Sequence, residues 1–260
     1  MYKFVDIFMI TIKSKNQIEQ MKMGGAILAR ILNMAAKMVK PGIGTAELDD
    51  FVESEIRAAG AFPIFKGYHG FPTALCTSIN DEVVHAPAKP NRILKDGDVI
   101  GLDLGLRFPA KNGMIVDSAL TVEVGKVSKD TKKVVAAAKN ALDVAIKKIK
   151  PGIKLGDISS AIQVEVEKKG FNVVRDLVGH GVGEKLHEEP QIPNFGLPGT
   201  GPTLQAGMTL AIEPMITAGH HAVVEDKKTG AFKTADQSLS THFEHTILVT
   251  ERGCEVLTKE

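Results

Sequence analysis

The chain has no tryptophan, only two tyrosines and two cysteines among its 260 residues, and a net charge of just +1. Each shortage excludes something. Cys76 and Cys254 cannot make a disulfide framework, and no Cys-x-x-Cys motif is present, so a reducing, cytoplasmic setting is expected. A charge this close to zero leaves no footprint for nucleic acid or an anionic membrane as the main partner. No apolar run is long enough to span a bilayer. The first twelve residues are apolar but interrupted by Lys3 and Asp6, and they lack a small-residue cleavage site. Residues 1–13 are expected to form an arm or strand, with Met9 as an alternative start. Three chemical signatures are also missing: a His-Glu-x-x-His helix, a Gly-x-Ser-x-Gly elbow and a Walker loop. What remains is a globular composition, 43% hydrophobic and 24% charged, long enough for an ample core.

Periodicity divides the chain in two. Ser14 to Gln17 reads as a capping box opening a helix whose buried face carries Ile18, Met21, Leu28, Ile31, Leu32, Ala35 and Met38. That helix stops at Lys40-Pro41-Gly42. A second helix is expected from Thr45 to Gly60, then short strands over 75–79 and 83–85 and a buried strand over 98–104. Asn112-Gly113 turns the chain into a hairpin strand over 114–124. The order then restarts with helices over 132–149 and 155–169. Lys40-Pro41-Gly42-Ile43 recurs as Lys150-Pro151-Gly152-Ile153, an offset of 110. At that offset Leu32, Ala35 and Lys37 meet Leu142, Ala145 and Lys147, Glu55 meets Glu165, and Gly60 meets Gly170. Residues 94–103 likewise lie over residues 204–213. Matches along four elements without a shift imply an internal duplication. Residues 14–260 then form a single domain of two α+β halves, about 14–127 and 128–260, related by a pseudo-twofold axis.

The duplication lays Asp103 over Glu213, each an acid in an otherwise apolar strand. Burying such a charge is costly unless it is paired or binds a cation. One acid alone is ordinarily half of a salt bridge; two in matching places point to a shared role. Asp117 and Glu244 add a second pair, each near the start of an alternating apolar segment, 116–122 and 243–249. Four carboxylates meeting at the axis repel one another unless cations neutralise them. Two divalent ions would balance them, as in sites whose metals stand ~3.5–4 Å apart. The glycine-rich run from Gly179 to Pro190 adds His180 and His187, and neutral imidazole binds borderline metals such as zinc, cobalt, manganese or iron. Spacing alone leaves each histidine open as a ligand or as a hydrogen-bonding side chain.

Seven motifs together resemble those of the type I methionine aminopeptidases, over almost everything from Met9 to Glu260. They are Gly67-Tyr68-His69-Gly70-Phe71-Pro72, Ser78 through His85, Gly101-Leu102-Asp103-Leu104, Val116-Asp117-Ser118, Gly179 through Pro190, Ile212-Glu213-Pro214-Met215 and Phe243-Glu244-His245-Thr246. The resemblance implies the pita-bread (creatinase/aminopeptidase) fold, a pseudo-twofold α+β catalytic domain around a dinuclear metal site. It implies Asp103 as a terminal ligand of one ion, His180 and Glu213 as terminal ligands of the other, and Asp117 and Glu244 as bridging carboxylates. His85 and His187 are similar to the family's two substrate-contacting histidines, and Tyr68, Phe71 and Cys76 fall where it lines a methionine pocket. The implied reaction removes the N-terminal methionine from nascent polypeptides, preferring a small second residue. A metal-bridging hydroxide attacks the methionyl carbonyl, Glu213 relays its proton, His187 stabilises the oxyanion and His85 holds the scissile amide. Oxygen and nitrogen ligands leave the metal open among cobalt, manganese, iron and zinc. A monomer is expected because the symmetry is already internal. The ribosome is a candidate partner, although no strong basic patch argues for it.

Some features depart from the family pattern. The separation of Asp103 and Asp117, with residues 107–111 inside it, is a few residues long, which points to an enlarged hairpin tip and bears on the geometry of Asp117. Leu177 and Leu186 stand where aromatics are expected, and without tryptophan the aromatic expected over the pocket mouth, near residues 230–232, is missing or replaced by Phe232. Two other readings share the fold. Xaa-Pro aminopeptidases and prolidases have a similar ligand set but usually carry a large extra N-terminal domain. A non-catalytic binding protein would have lost ligands, and all five are present. Only 33 positions separate His180 from Glu213, which argues against the long insertion of the type II enzymes.

Overall fold

The computed structural model describes residues 10–259, so most of the arm or strand expected over 1–13 lies outside the described residues. Residues 10–13 form no regular element, yet Lys13 is buried and its N–H donates to Gly207 O at 2.8 Å. Ser14 then caps α1 (Lys15–Met38): its hydroxyl accepts from the Gln17 N–H, and the Gln17 side chain accepts from the Ser14 N–H. The first half continues with α2 (Thr45–Ala58), β1 (Phe62–Pro63), a 3-10 turn at Tyr68–Gly70, β2 (Cys76–Ile79) and β3 (Glu82–Val84). A long hairpin, β4 (Val99–Phe108) and β5 (Met114–Glu123), completes it. The second half opens with α3 (Lys129–Lys148), α4 (Leu155–Glu167), β6 (Asn172–Val173), β7 (Val178–Gly181) and β8 (Glu188–Pro193). Next come β9 (Thr209–Ile212), β10 (Met215–Thr217), β11 (Val223–Glu225), β12 (Phe232–Thr234), β13 (Ser240–His242), β14 (His245–Val249) and β15 (Cys254–Val256). Among the described residues, no helix is long and apolar enough to cross a membrane.

Strand pairing repeats the duplication at single-residue resolution. β1 pairs Phe62 with Arg107 and Pro63 with Leu106; β6 pairs Asn172 with Thr217 and Val173 with Ile216, each partner shifted by the same offset. Isolated bridges join Gly44 to Ile93 and Lys154 to Thr203 in the same relation. Two main apolar cores form, the first built mostly from the first half but joined by Val182, Leu186, Ala211, Leu248 and Leu257 of the second. One gathers Leu28, Leu48, Ile56 and Leu104, and the other Leu142, Ile158, Leu210 and Ile247.

The long hairpin resolves the question raised by the Asp103–Asp117 spacing. Ten consecutive pairs run from Val99↔Glu123 to Phe108↔Met114 without a register shift, so the extra residues only lengthen the hairpin beyond both acids. In the second half the equivalent ladder is interrupted. Pro214 has no N–H for the ladder, and β9 pairs with β14 up to Ile212↔His245 before pairing resumes at Met215↔His242. Glu213 and Glu244 therefore face each other across the break, rather than lying inside strands.

This register revises the symmetry expected for the acids. Asp103 and Glu213 are equivalent. Asp117 faces Gly105, and the second-half counterpart of Gly105 is Met215, which faces His242. The position matching Asp117 is thus His242, and the position matching Glu244 is Ala119. The four carboxylates are one matched pair and two unmatched acids.

The halves join where β5 runs antiparallel to the segment from β13 into β14. The Glu244 N–H donates to Ala119 O at 2.8 Å, the Thr121 hydroxyl to His242 O at 2.7 Å, and the Thr246 hydroxyl to Asp117 O at 2.8 Å. Across the back, α1 packs on the long hairpin through Gly24 and on Leu257, just beyond β15, through Gly25, and both glycines are buried. A Cβ on Gly25 would stand 2.1 Å from the Leu257 carbonyl oxygen. Alanine in an open helix is favoured over glycine by about 1 kcal/mol, but overpacking against fixed backbone costs about 1–3 kcal/mol. Gly25→Ala is therefore expected to lower stability by about 1–2 kcal/mol, read as a lower urea midpoint.

Candidate metal centre and substrate cavity

A cavity of ≈ 1000 Å³ opens at the seam between the halves, and all ten residues singled out from the sequence line it: Tyr68, Phe71, Cys76, His85, Asp103, Asp117, His180, His187, Glu213 and Glu244. Asp103 and Asp117 project from the same face of the long hairpin, opposite Ala119 and Gly105. Those small partners leave room for the carboxylates. Asp117, His180 and Glu244 each offer one ligand atom, all within 4.8 Å of one another. Glu213 adjoins this group, its Oε1 3.5 Å from His180 Nε2, while Asp117 Oδ2 is 4.0 Å from the same nitrogen.

The donor set fits a cation. Asp103 Oδ1, Asp117 Oδ1 and Glu244 Oε1 are buried and have no hydrogen-bond partner, although buried polar atoms normally have one. His180 presents the right tautomer. Its Nδ1 lies 2.9 Å from Gly181 O, which can only accept, so a neutral ring carries its proton on Nδ1 and turns the Nε2 lone pair toward the acids.

Left to the protein alone, three of these carboxyls favour the proton. Burial, opposed by His242 and reinforced by Glu213, pushes Asp103 up to about 7. Burial, then the charges of Asp103 and Glu213, drives Asp117 well above the usual carboxylate range. Burial, then Asp117, Glu213 and Asp103, does the same to Glu244. Glu213 goes the other way: burial raises it, but His242 and His180 outweigh that and hold it below its ordinary value.

The second histidine of the opening run stands apart from this cluster. His187 packs edge-on against the His180 ring with centroids 4.5 Å apart, and its Nδ1 lies 2.9 Å from the Tyr68 hydroxyl. Burial first, then the charge of His180, lowers its pKa to about 4, so the ring is neutral at pH 7. When the Tyr68 O–H donates to Nδ1, the remaining proton sits on Nε2 as a free donor. His85 lines the cavity in a left-handed backbone conformation, φ 60°, which non-glycine residues rarely adopt. Its ring is open to the cavity yet enclosed by protein, and this enclosure lowers its pKa.

Phe232 does not take the place of a mouth aromatic. Its ring lies edge-on behind His85 at 5.8 Å, and the nearby loop contributes Thr229 and Gly230 to the cavity instead. Leu177 and Leu186 do line it. Cys76 pairs with Asp103 across β2 and β4, and burial, then Asp103, keeps its thiol protonated.

His242 was not singled out from the sequence. It is buried, with Nε2 3.5 Å from Glu213 Oε2 and no formed hydrogen bond. It lies outside the cavity lining, beside Glu213. The available signal was its place two residues before Glu244, since an extended chain carries such residues on the same side.

Residues 19–251 match the family model of metallopeptidase family M24. The chain belongs to metallopeptidase family M24. Membership implies use of a divalent metal. Methionine aminopeptidase 1 of Bacillus subtilis is 45% identical over 251 residues, covering 96% of this chain and 100% of that relative. The crystal structure of a methionine aminopeptidase from Thermotoga maritima superposes with a TM-score of 0.94 at 46% identity, covering 97% of this chain and 100% of that one. A prolidase from Pyrococcus furiosus matches with a TM-score of 0.75 at 21% identity, over 96% of this chain and 66% of its own, a likeness of fold alone. The pita-bread fold expected from the sequence is the fold found.

The raised pKa of Asp103 has a consequence for the M24 chain stripped of metal. The folded state holds this proton up to about pH 7, whereas the unfolded chain releases it near ~3.9. Stability is complete below the lower value and falls as pH rises through the upper one. Asp103→Asn removes that loss. In chelator-treated protein, its unfolding free energy from urea titration is expected to exceed wild type at pH 8 by up to ~4 kcal/mol, and the advantage should shrink toward pH 4.

Proposed function

We propose that this chain is a metal-dependent aminopeptidase that hydrolytically removes the N-terminal methionine of polypeptides, with a small second residue preferred. The observation that carries this reading is the convergence of four carboxylates and His180 Nε2 in a cavity also lined by Phe65, Tyr68, Phe71 and Leu177. Asp103, Asp117, His180, Glu213 and Glu244 would hold two divalent ions. Bound there, such ions supply Lewis-acid polarisation of a carbonyl and a nucleophilic water at neutral pH. Cobalt, manganese, iron and zinc all suit this oxygen-rich set with one imidazole.

The protein's own residues divide the remaining work. Glu213, held between His180 and His242, accepts a proton from the attacking water and returns it to the leaving amine. His187, neutral with Nε2–H free, donates to the carbonyl oxygen as negative charge develops there. His85 holds the scissile amide. Tyr68, Phe71 and Cys76 receive the methionine side chain, whose thioether suits apolar, polarizable surroundings. The prolidase reading rests on fold alone. Work on nascent chains brings the enzyme to the ribosome in the cytoplasm, in keeping with two free cysteines. A monomer is proposed because the twofold symmetry is internal.

A peptidase assay tests this directly. Purified protein supplied with cobalt, manganese or iron is expected to cleave Met-Ala-Ser and to spare Met-Lys and Xaa-Pro peptides, and chelation should abolish turnover. Cleavage of Xaa-Pro alone would overturn the methionine assignment. His187→Ala should lower kcat by about 10²–10³-fold, as loss of an oxyanion donor does, with metal content by elemental analysis unchanged. If the variant arrives stripped of metal, the division between ligands and substrate contacts is wrong.

A further inference from the structure

We infer that Glu188, held by the buried cation of Lys13, is a positioning residue that fixes the turn carrying His187. The inference rests on His187 being the substrate-contacting group proposed above. His187 ends a turn that leaves β7 at Gly181 and enters β8 at Glu188. Glu188 closes that turn on itself. Its Oε1 accepts the backbone N–H groups of Glu184 at 2.6 Å and Lys185 at 2.9 Å. Its Oε2 accepts the Thr11 hydroxyl at 2.6 Å and Lys13 Nζ at 2.6 Å, and Lys13 also bonds the Thr11 hydroxyl. One carboxylate thus ties together the turn before His187 and a segment some 175 residues away.

The anchor is rigid. The Lys13 and Glu188 side chains are 1% and 7% exposed. The Lys13 N–H donates to Gly207 O at 2.8 Å, and the Gly183 carbonyl accepts from Ile115 N–H of β5 at 2.7 Å. The lysine stem runs against the turn so closely that a Cβ on Gly183, φ 152°, would meet Lys13 Cε at 2.3 Å. Burial pushes the Glu188 carboxyl up, but Lys13, Thr11 and the Lys185 N–H more than reverse this, so it is ionised at neutral pH. Removing two charges from water gains little stability and can cost some. What a fully bonded buried pair does provide is one fixed geometry. Both Glu188 oxygens are committed to four donors, none of them on a proposed metal ligand. The peptide unit that Glu188 anchors is the one that begins at His187. Displacing a substrate-contacting group by ~1 Å costs on the order of 10²-fold in rate, so the pair governs how His187 meets the carbonyl.

The test is a double-mutant cycle in the full-length, metal-loaded enzyme with Met-Ala-Ser as the probe. Glu188→Gln and Lys13→Met are each expected to lower kcat by about 10- to 100-fold, with KM and metal content close to wild type. In a His187→Ala background, Glu188→Gln should lower kcat by less than about twofold, because a positioning residue has nothing left to position. Equal losses in both backgrounds would overturn the proposal, as would a Glu188→Gln kcat within about twofold of wild type. Should Lys13→Met fail to fold, Glu188→Gln keeps the shape and one acceptor oxygen and carries the test by itself. A wild-type enzyme inactive on Met-Ala-Ser would strike the aminopeptidase reading instead, which keeps the two failures distinguishable.

Discussion

Mutual repulsion among Asp103, Asp117, Glu213 and Glu244 is the constraint on which the rest of this structure depends. All four line one cavity, and three retain buried oxygens without a hydrogen-bond partner. Such a cluster is tolerable only when protons or cations neutralise it. The protein alone meets part of this with protons, since burial raises Asp103, Asp117 and Glu244. A divalent ion meets it with chemistry. Two apolar cores hold the acids at their shared seam, and the seam is closed by backbone and threonine hydrogen bonds that cannot shift register without breaking.

A duplicated backbone supports an unequal site. Gly101 pairs with Ser78, and its counterpart Ala211 pairs with His180, so only one half offers an imidazole to the acids. Asp117 in one half is answered by His242 in the other. Symmetry supplies the scaffold, and departures from it make the two ends of the site chemically different. A peptide is itself directional, with an amine at one end and a leaving amide at the other, and an unequal site matches that polarity.

Precision here comes from strands, and adaptation comes from the connections. Asp103 and Asp117 ride on a ten-pair ladder, whereas His187 and Tyr68 stand on turns that need separate support. The Tyr68 hydroxyl sets the His187 tautomer, and the Lys13–Glu188 pair steadies the turn beneath it. The proposed ligands and the proposed substrate contacts therefore draw on different parts of the structure, so each can be altered with limited effect on the other.

Much of this was legible in the chain itself. Ser14 and Gln17 announce a helix start because the cap is made within four residues, and α1 begins there. The 110-residue offset survives in the strand pairs of β1 and β6 because repeated residues make repeated local contacts. The residues chosen for chemistry all reached one cavity, because an acid in an apolar strand is conspicuous on energetic grounds. Tertiary structure alone decided the rest. Glu213 faces Glu244 because Pro214 interrupts a ladder whose register is set far away in sequence. His242 sits beside Glu213, and Phe232 against His85, through pairings of β13 with β10 and of β12 with β3. Lys13 and Glu188, 175 positions apart, look like two ordinary surface charges until the chain folds and buries them together. Periodicity and caps are written within a few residues; partners across a sheet or a seam depend on where the rest of the chain goes.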